Sequence, residues 1–201
     1  MIRCIQRYLP EYIKRKKLQE LFLLTANAFD VPMPKLKRVS YQEYLREYAV
    51  FTRKQAKRCI NEGACVLAVK KKLYYSAYQL GLKLREELRI VTNKEAFLAL
   101  KVIYQMLGIQ FVYCKKGEFL INGCFFSDYY DGEVCRLIES LDQGLVAGLF
   151  HGGKLAFRYR MTEGKENCIG SIRGGRERET CHSRWKRCRR CSNCEYTQRE
   201  L

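Results

Sequence analysis

Histidine is nearly missing from this 201-residue chain, with only His151 and His182 present. That scarcity weighs against Ser-His-Asp and Cys-His catalysis and against a histidine-rich zinc site. Prolines number three, and two of them fall in the single stretch FDVPMPKLKR, which therefore reads as a linker. No run of about 18 apolar residues occurs, the length a membrane-crossing helix needs, so no membrane partner is expected. Acidic side chains are also short in supply. Against 38 lysines and arginines stand 21 aspartates and glutamates, a formal charge of +17. Such a surface draws polyanions non-specifically, yet only charge, and no recognition motif, speaks for nucleic acid. The ordinary reading is a basic protein with solvated charged helix faces.

Cysteine is abundant, and the eleven thiols are an odd number. No secretory n-region and h-region stand ahead of them, and they are scattered through helical and strand-like periodicity. Reduced thiols in a cytoplasmic protein are the expectation, rather than a disulfide scaffold. Nearly half the residues are hydrophobic, enough for one core.

Apolar spacing of three and four predicts a helix over 2–28, with Pro10 bending or restarting it. A second helix is predicted from a Ser40 cap with Glu43 as its capping-box partner, running to about Asn61. A third covers 65–89, and Thr92 with Glu95 opens a fourth that Gly108 stops. The period then changes to two. IQFVYC and EFLING read as a hairpin turning near Lys116 and Gly117. Asp131 is the expected N-cap of a fifth helix whose buried stripe is Val134, Leu137, Ile138, Leu141, Leu145 and Leu149. Two more strands, GGKLAFRYRM and NCIGSIR, are joined by TEGKE. The expected fold class is α+β: a helical N-terminal half over 1–108, then an antiparallel sheet packed on a central helix over 109–172. From 173 to 201 the composition becomes basic and Cys-rich, which reads as an appendage.

Within the fifth helix Cys135, Glu139 and Asp142 share one face beside the apolar stripe. A carboxylate held against apolar surface has a raised pKa, which suits proton transfer near neutrality. Cys124 ends the strand before the helix and Cys168 opens the strand after TEGKEN. Thiols there can act as nucleophiles if a cation or a helix N-terminus favours the thiolate, or serve as small core hydrophobes.

The run Gly123-Cys124-Phe125-Phe126-Ser127, Asp142 followed by GLVAGL, and FRYRMTEGKENC together resemble the C-terminal signature of the L-2-amino-thiazoline-4-carboxylic acid hydrolase family. Phe51-Thr52-Arg53 is similar to an aromatic–Thr–Arg element in the helical half. CRLIESLDQGLVAGL and MTEGKENC also resemble the 4-vinyl reductase type of small-molecule-binding domain. The hydrolase resemblance implies ring-opening hydrolysis of a C–N bond in a small cyclic, amidine-like substrate bearing a carboxylate. It implies Cys124 as nucleophile or site thiol, Asp142 as the acid/base handling water, Cys168 as the thiol closing the other side, and Arg53 as carboxylate anchor. Cys135 and Glu139 stand behind these. The other resemblance implies a ligand- or metal-binding sensor module without turnover, and the charge leaves a polyanion-binding protein as a further alternative.

Cys181, Cys188, Cys191 and Cys194 are spaced C-x6-C-x2-C-x2-C, a set that can hold zinc or an iron–sulfur cluster. The alternative is a basic tail with incidental cysteines, binding polyanions through its arginines.

Overall fold

The computed structural model describes residues 9–36, 39–63 and 66–174. The tail cysteines Cys181, Cys188, Cys191 and Cys194, with their expected zinc or iron–sulfur cluster, lie outside the described residues. Five helices and four strands follow in the order α1 (Glu11–Ala28), α2 (Tyr41–Glu62), α3 (Val66–Glu87), α4 (Asn93–Met106), β1 (Ile109–Tyr113), β2 (Glu118–Cys124), α5 (Gly132–Leu149), β3 (Lys154–Tyr159) and β4 (Cys168–Arg173). The fold is α+β, with helices first and the sheet second.

Local chemistry sets most of the boundaries. Pro10 occupies the N-cap of α1, where its missing N–H costs no helical hydrogen bond. Ser40 and Glu43 close a reciprocal capping box on α2, and Thr92 and Glu95 close one on α4. Asp131 accepts from the backbone N–H groups of Glu133 and Val134 at the start of α5. Between β1 and β2 the chain turns through left-handed Lys116 and Gly117, at φ 59° and 82°.

All strand pairs are antiparallel and the sheet order is β1-β2-β4-β3. β4 therefore inserts between the first hairpin and β3, and it extends to Arg173, one residue past the expected domain boundary. The expected stripe of α5 is buried throughout, and so are Glu139, Ser140, Gly144, Val146, Ala147 and Gly148. A helix covered on so many sides is a core element, not a half-exposed one.

α5 reaches that position by crossing α3 at very short range. A Cβ added at Gly144 would run into the Tyr74 carbonyl of α3. One added at Gly81 would sit 2.6 Å from the Leu145 carbonyl, and one at Gly148 2.8 Å from Gly81 Cα. Only glycine lets the two backbones approach so closely. The buried Arg85 on α3 donates to the Leu149 carbonyl and, at 3.2 Å, to the Val91 carbonyl, tying the end of α5 to the segment entering α4. No helix among the described residues is long and apolar enough to cross a membrane.

Candidate functional site

The end of β2, the middle of α5 and the start of β4 converge on one cavity of about 360 Å³. Cys124, Cys135, Glu139, Asp142 and Cys168 all line it. Five sequence-derived candidates from three separate elements are thus brought together. The exception is Arg53. It is exposed on α2 and is not among the lining residues. Consecutive helical residues are rotated by about 100°, so burying Thr52 turns its neighbour toward solvent.

The cationic group beside these candidates is instead Arg160. Its guanidinium is ion-paired with Glu139, and the two side chains are 13% and 10% exposed. Gln143 donates to the other Glu139 oxygen at 2.9 Å, and the Arg160 guanidinium lies 5.3 Å from the centre of the Phe157 ring. Arg160 Nε is buried without a hydrogen-bond partner. Burial opposes the cation, but the bonded Glu139 carboxylate outweighs it and holds the Arg160 pKa above its ordinary value. The β3–β4 register shifts between Phe157 and Tyr159. Such an irregularity re-aims the following side chains, so Arg160 points inward while Arg158, two residues earlier, is exposed. Strict alternation gives both arginines the same face, which is why the sequence conceals this one.

Asp142 is the centre of the polar end. Tyr104, fully buried on α4, donates its hydroxyl to Asp142 Oδ1 at 2.9 Å. Burial pushes the Asp142 carboxyl up, the Tyr104 hydrogen bond pulls it back in part, and the Glu139 charge raises it further, to about 7. Reciprocally, burial and the Asp142 charge hold the Tyr104 phenol well above its ordinary value, so it stays a donor. A carboxyl poised near neutrality can take a proton from water and return it to a leaving group. Tyr104 has no sequence signature beyond membership of an apolar helical face.

The thiols differ from the expectation of an activated nucleophile. Burial raises Cys124 to about 12 and Cys135 to about 11, and it raises Cys168 as well. The neighbouring Arg160 lowers Cys135 and Cys168 too little to reverse this. The backbone N–H of Met161 reaches Cys168 Sγ at 3.3 Å, and Ser127 Oγ donates to the Cys124 carbonyl at 2.6 Å, so these contacts fix position more than charge. At neutral pH the cavity wall holds three S–H groups rather than a thiolate. Among the described residues no cluster of three or more His, Cys, Asp or Glu side chains is arranged to hold a metal ion.

The polar end occupies only part of the cavity. α1, α3 and α4 contribute apolar walls that include Leu21, Leu84, Leu88, Ile103 and Leu107, and Lys17 and Glu87 stand at a rim where both are partly open to solvent. No protein-family model matches the chain, and no curated protein matches it.

Proposed function

We propose that the protein is a hydrolase acting on the C–N bond of a small cyclic, amidine-like substrate, with Asp142 as the proton-transfer group. The observation that carries this reading is a partly buried carboxyl, held by Tyr104 at 2.9 Å and raised to about 7 by its surroundings, at the polar end of a cavity of ligand size. In this scheme water adds to the amidine carbon and gives its proton to ionised Asp142. Protonated Asp142 then returns the proton to the ring nitrogen; as the C–N bond breaks, the added hydroxyl passes its own proton to that nitrogen through Asp142, so the carbon keeps a C=O and the nitrogen leaves as an amine. Arg160 takes the place first assigned to Arg53 as the anchor for a substrate carboxylate. The protonated Cys124, Cys135 and Cys168 serve as S–H donors and shape the wall, since attack by a thiolate requires deprotonation far above neutral pH. The resemblance of Gly123–Ser127, Asp142 and the 157–168 segment to the thiazoline-carboxylate hydrolases supports the same substrate class.

The test is release of the ring-opened product from 2-amino-thiazoline-4-carboxylate by the purified protein. Asp142→Asn keeps the shape and the Tyr104 contact but cannot accept a proton, and a 10²- to 10⁴-fold loss of rate is expected. Retention of full rate by this variant sinks the scheme. The protonated thiols favour a second reading, a binding module of the 4-vinyl reductase type. Ligand-dependent stabilisation without any product, in wild type as in Asp142→Asn, identifies that case.

A further inference from the structure

Five charged side chains line the cavity: Lys17, Glu87, Glu139, Asp142 and Arg160. Four of them have partners of opposite sign. Lys17 meets Glu87 at 3.5 Å and Glu20 at 3.1 Å, and Arg160 is bonded to Glu139 and, at 3.4 Å, to Glu163. Asp142 is the exception, with a phenol for a partner and no cation among the described residues within ion-pair distance. We infer that the cavity takes a small organic cation, an amidinium-type group, with Asp142 as its counter-ion. The choice of an amidine rests on the hydrolase reading, which this deepens by fixing the charge of the bound group, but the test is binding and needs no turnover.

The free oxygen of Asp142 gives the cation a place to bind. Tyr104 occupies Oδ1 at 2.9 Å, and Oδ2 accepts no hydrogen bond from the described residues. Unlike Arg160 Nε, Oδ2 is not one of the unpartnered atoms sealed away from solvent. Asp142 keeps accessible surface and lines the cavity, so the open oxygen is reached from that space. A carboxylate approaching Arg160 has to share the guanidinium with two acids already there, whereas a cation at Oδ2 displaces nothing.

The surroundings of Asp142 supply no positive charge of their own. Tyr48 from α2 and Tyr104 from α4 are phenols that burial keeps protonated, and Cys124, Cys135 and Cys168 are S–H groups. Glu139, one turn earlier on α5, is a second acid, and Arg160 from the end of β3 is engaged by it. An ionised carboxylate held in such a place is stabilised strongly by a bound cation, because little water screens the pair. The walls decide which kind of cation. A metal ion needs several ligating side chains at once, and no such cluster stands among the described residues. Ala77, Leu84, Ala99, Ile121 and Leu145 are typical of the remaining lining, which suits the apolar body of an organic molecule.

The experiment is calorimetric titration of the full-length protein at pH 8 with benzamidine, a cation between pH 5 and 8, beside the isosteric neutral benzamide and the benzoate anion. Benzamidine is expected to bind at least about tenfold more tightly than benzamide, as a charge-assisted hydrogen bond to a carboxylate provides, and benzoate more weakly than either. Asp142→Asn, which keeps the size of the side chain, is expected to make benzamidine and benzamide equal. Glu87→Gln, at the rim, is expected to leave the preference unchanged and so excludes the other acid without a buried partner. Since the cation binds ionised Asp142, the preference is present above pH 7 and falls as pH drops through 7, by up to about tenfold per unit. Absence of benzamidine binding at millimolar concentration, equal binding of benzamidine and benzamide to wild type, a preference that survives Asp142→Asn, or one that is lost in Glu87→Gln overturns the inference. A protein that prefers benzamidine through Asp142 yet opens no thiazoline ring fails the hydrolase scheme alone. One that opens the ring without any preference for the cation fails this inference alone.

Discussion

Tyr104 on α4 and Asp142 on α5 share a hydrogen bond of 2.9 Å between phenol and carboxylate, joining the helical half to the central helix at the polar end of the cavity. The bond favours ionised Asp142 and opposes the burial that raises it. Removing it in Tyr104→Phe therefore shifts Asp142 above 7. A hydrogen bond to a charged group is worth about 1.5–3 kcal/mol, or about one to two pH units. For a general base, rate is present above the pKa and lost as pH falls through it. Wild-type kcat/KM is expected to rise through about pH 7, and the variant's limb is expected one unit or more higher. A pH–rate profile checks this, and coincident limbs show that Tyr104 does not tune the base.

Asp142 should also weigh on stability. Its folded pKa, about 7, exceeds the ordinary 3.8, so the folded state holds the proton more tightly than the unfolded chain. Stability from this group is fully present below pH 3.8, declines as pH rises, and is lost above about 7. The gap corresponds to at most about 4 kcal/mol. Asn carries no charge to desolvate. Asp142→Asn is expected to melt with wild type near pH 4 and several degrees higher at pH 8, as thermal denaturation across that range will show. An equal difference at both pH values would mean that ionisation is not the cause.

The parts of the molecule legible in the sequence are those fixed by short-range rules. Ser40 with Glu43 and Thr92 with Glu95 announce their helices because both partners lie within one turn. Asp131 and the stripe from Val134 to Leu149 do the same for α5. Cys124 closes β2 and Cys168 opens β4, but Asp142 sits mid-helix in α5, and it is the family resemblance, not a short-range rule, that groups the three in the sequence. What the sequence hid depends on contacts between distant elements. Arg160 faces inward through an irregularity of β3 and finds Glu139 twenty-one residues away. Tyr104 meets Asp142 across two helices, and Arg53 turned outward because its neighbour Thr52 took the buried face.

Thiol chemistry offers an independent check on the cavity. Cys114 is exposed, Cys168 is buried, and Cys124 and Cys135 are partly buried with pKa values raised to about 12 and 11. Alkylation proceeds through the thiolate, so the cavity thiols should be slow. With iodoacetamide at pH 7.5, Cys114 is expected to label at least a hundredfold faster than Cys124 or Cys135, measured by peptide mass spectrometry over time. Fast labelling of Cys124 in the folded protein would instead mark it as an activated nucleophile and restore its expected role.

The glycine crossing of α3 and α5 links packing to the site. Gly144 lies two residues past Asp142, and a methyl there collides with backbone of Tyr74, which cannot rotate away as a side chain could. The helices must separate or α5 must shift along its axis. Overpacking of this kind costs about 1–3 kcal/mol, and more where backbone has to move. Gly144→Ala is therefore expected to lower the denaturation midpoint and to displace Asp142 from Tyr104. The second effect separates this crossing from a merely structural one: kcat is expected to fall in protein that is still folded at low temperature, because a displacement near 1 Å at a reacting group is enough to cost about a hundredfold in rate. Glu133→Ala, exposed in the first turn of the same helix and away from the crossing glycines, is the control and is expected to leave kcat unchanged. A variant that loses stability while retaining full kcat would show that the crossing holds the fold together without setting the geometry of the site.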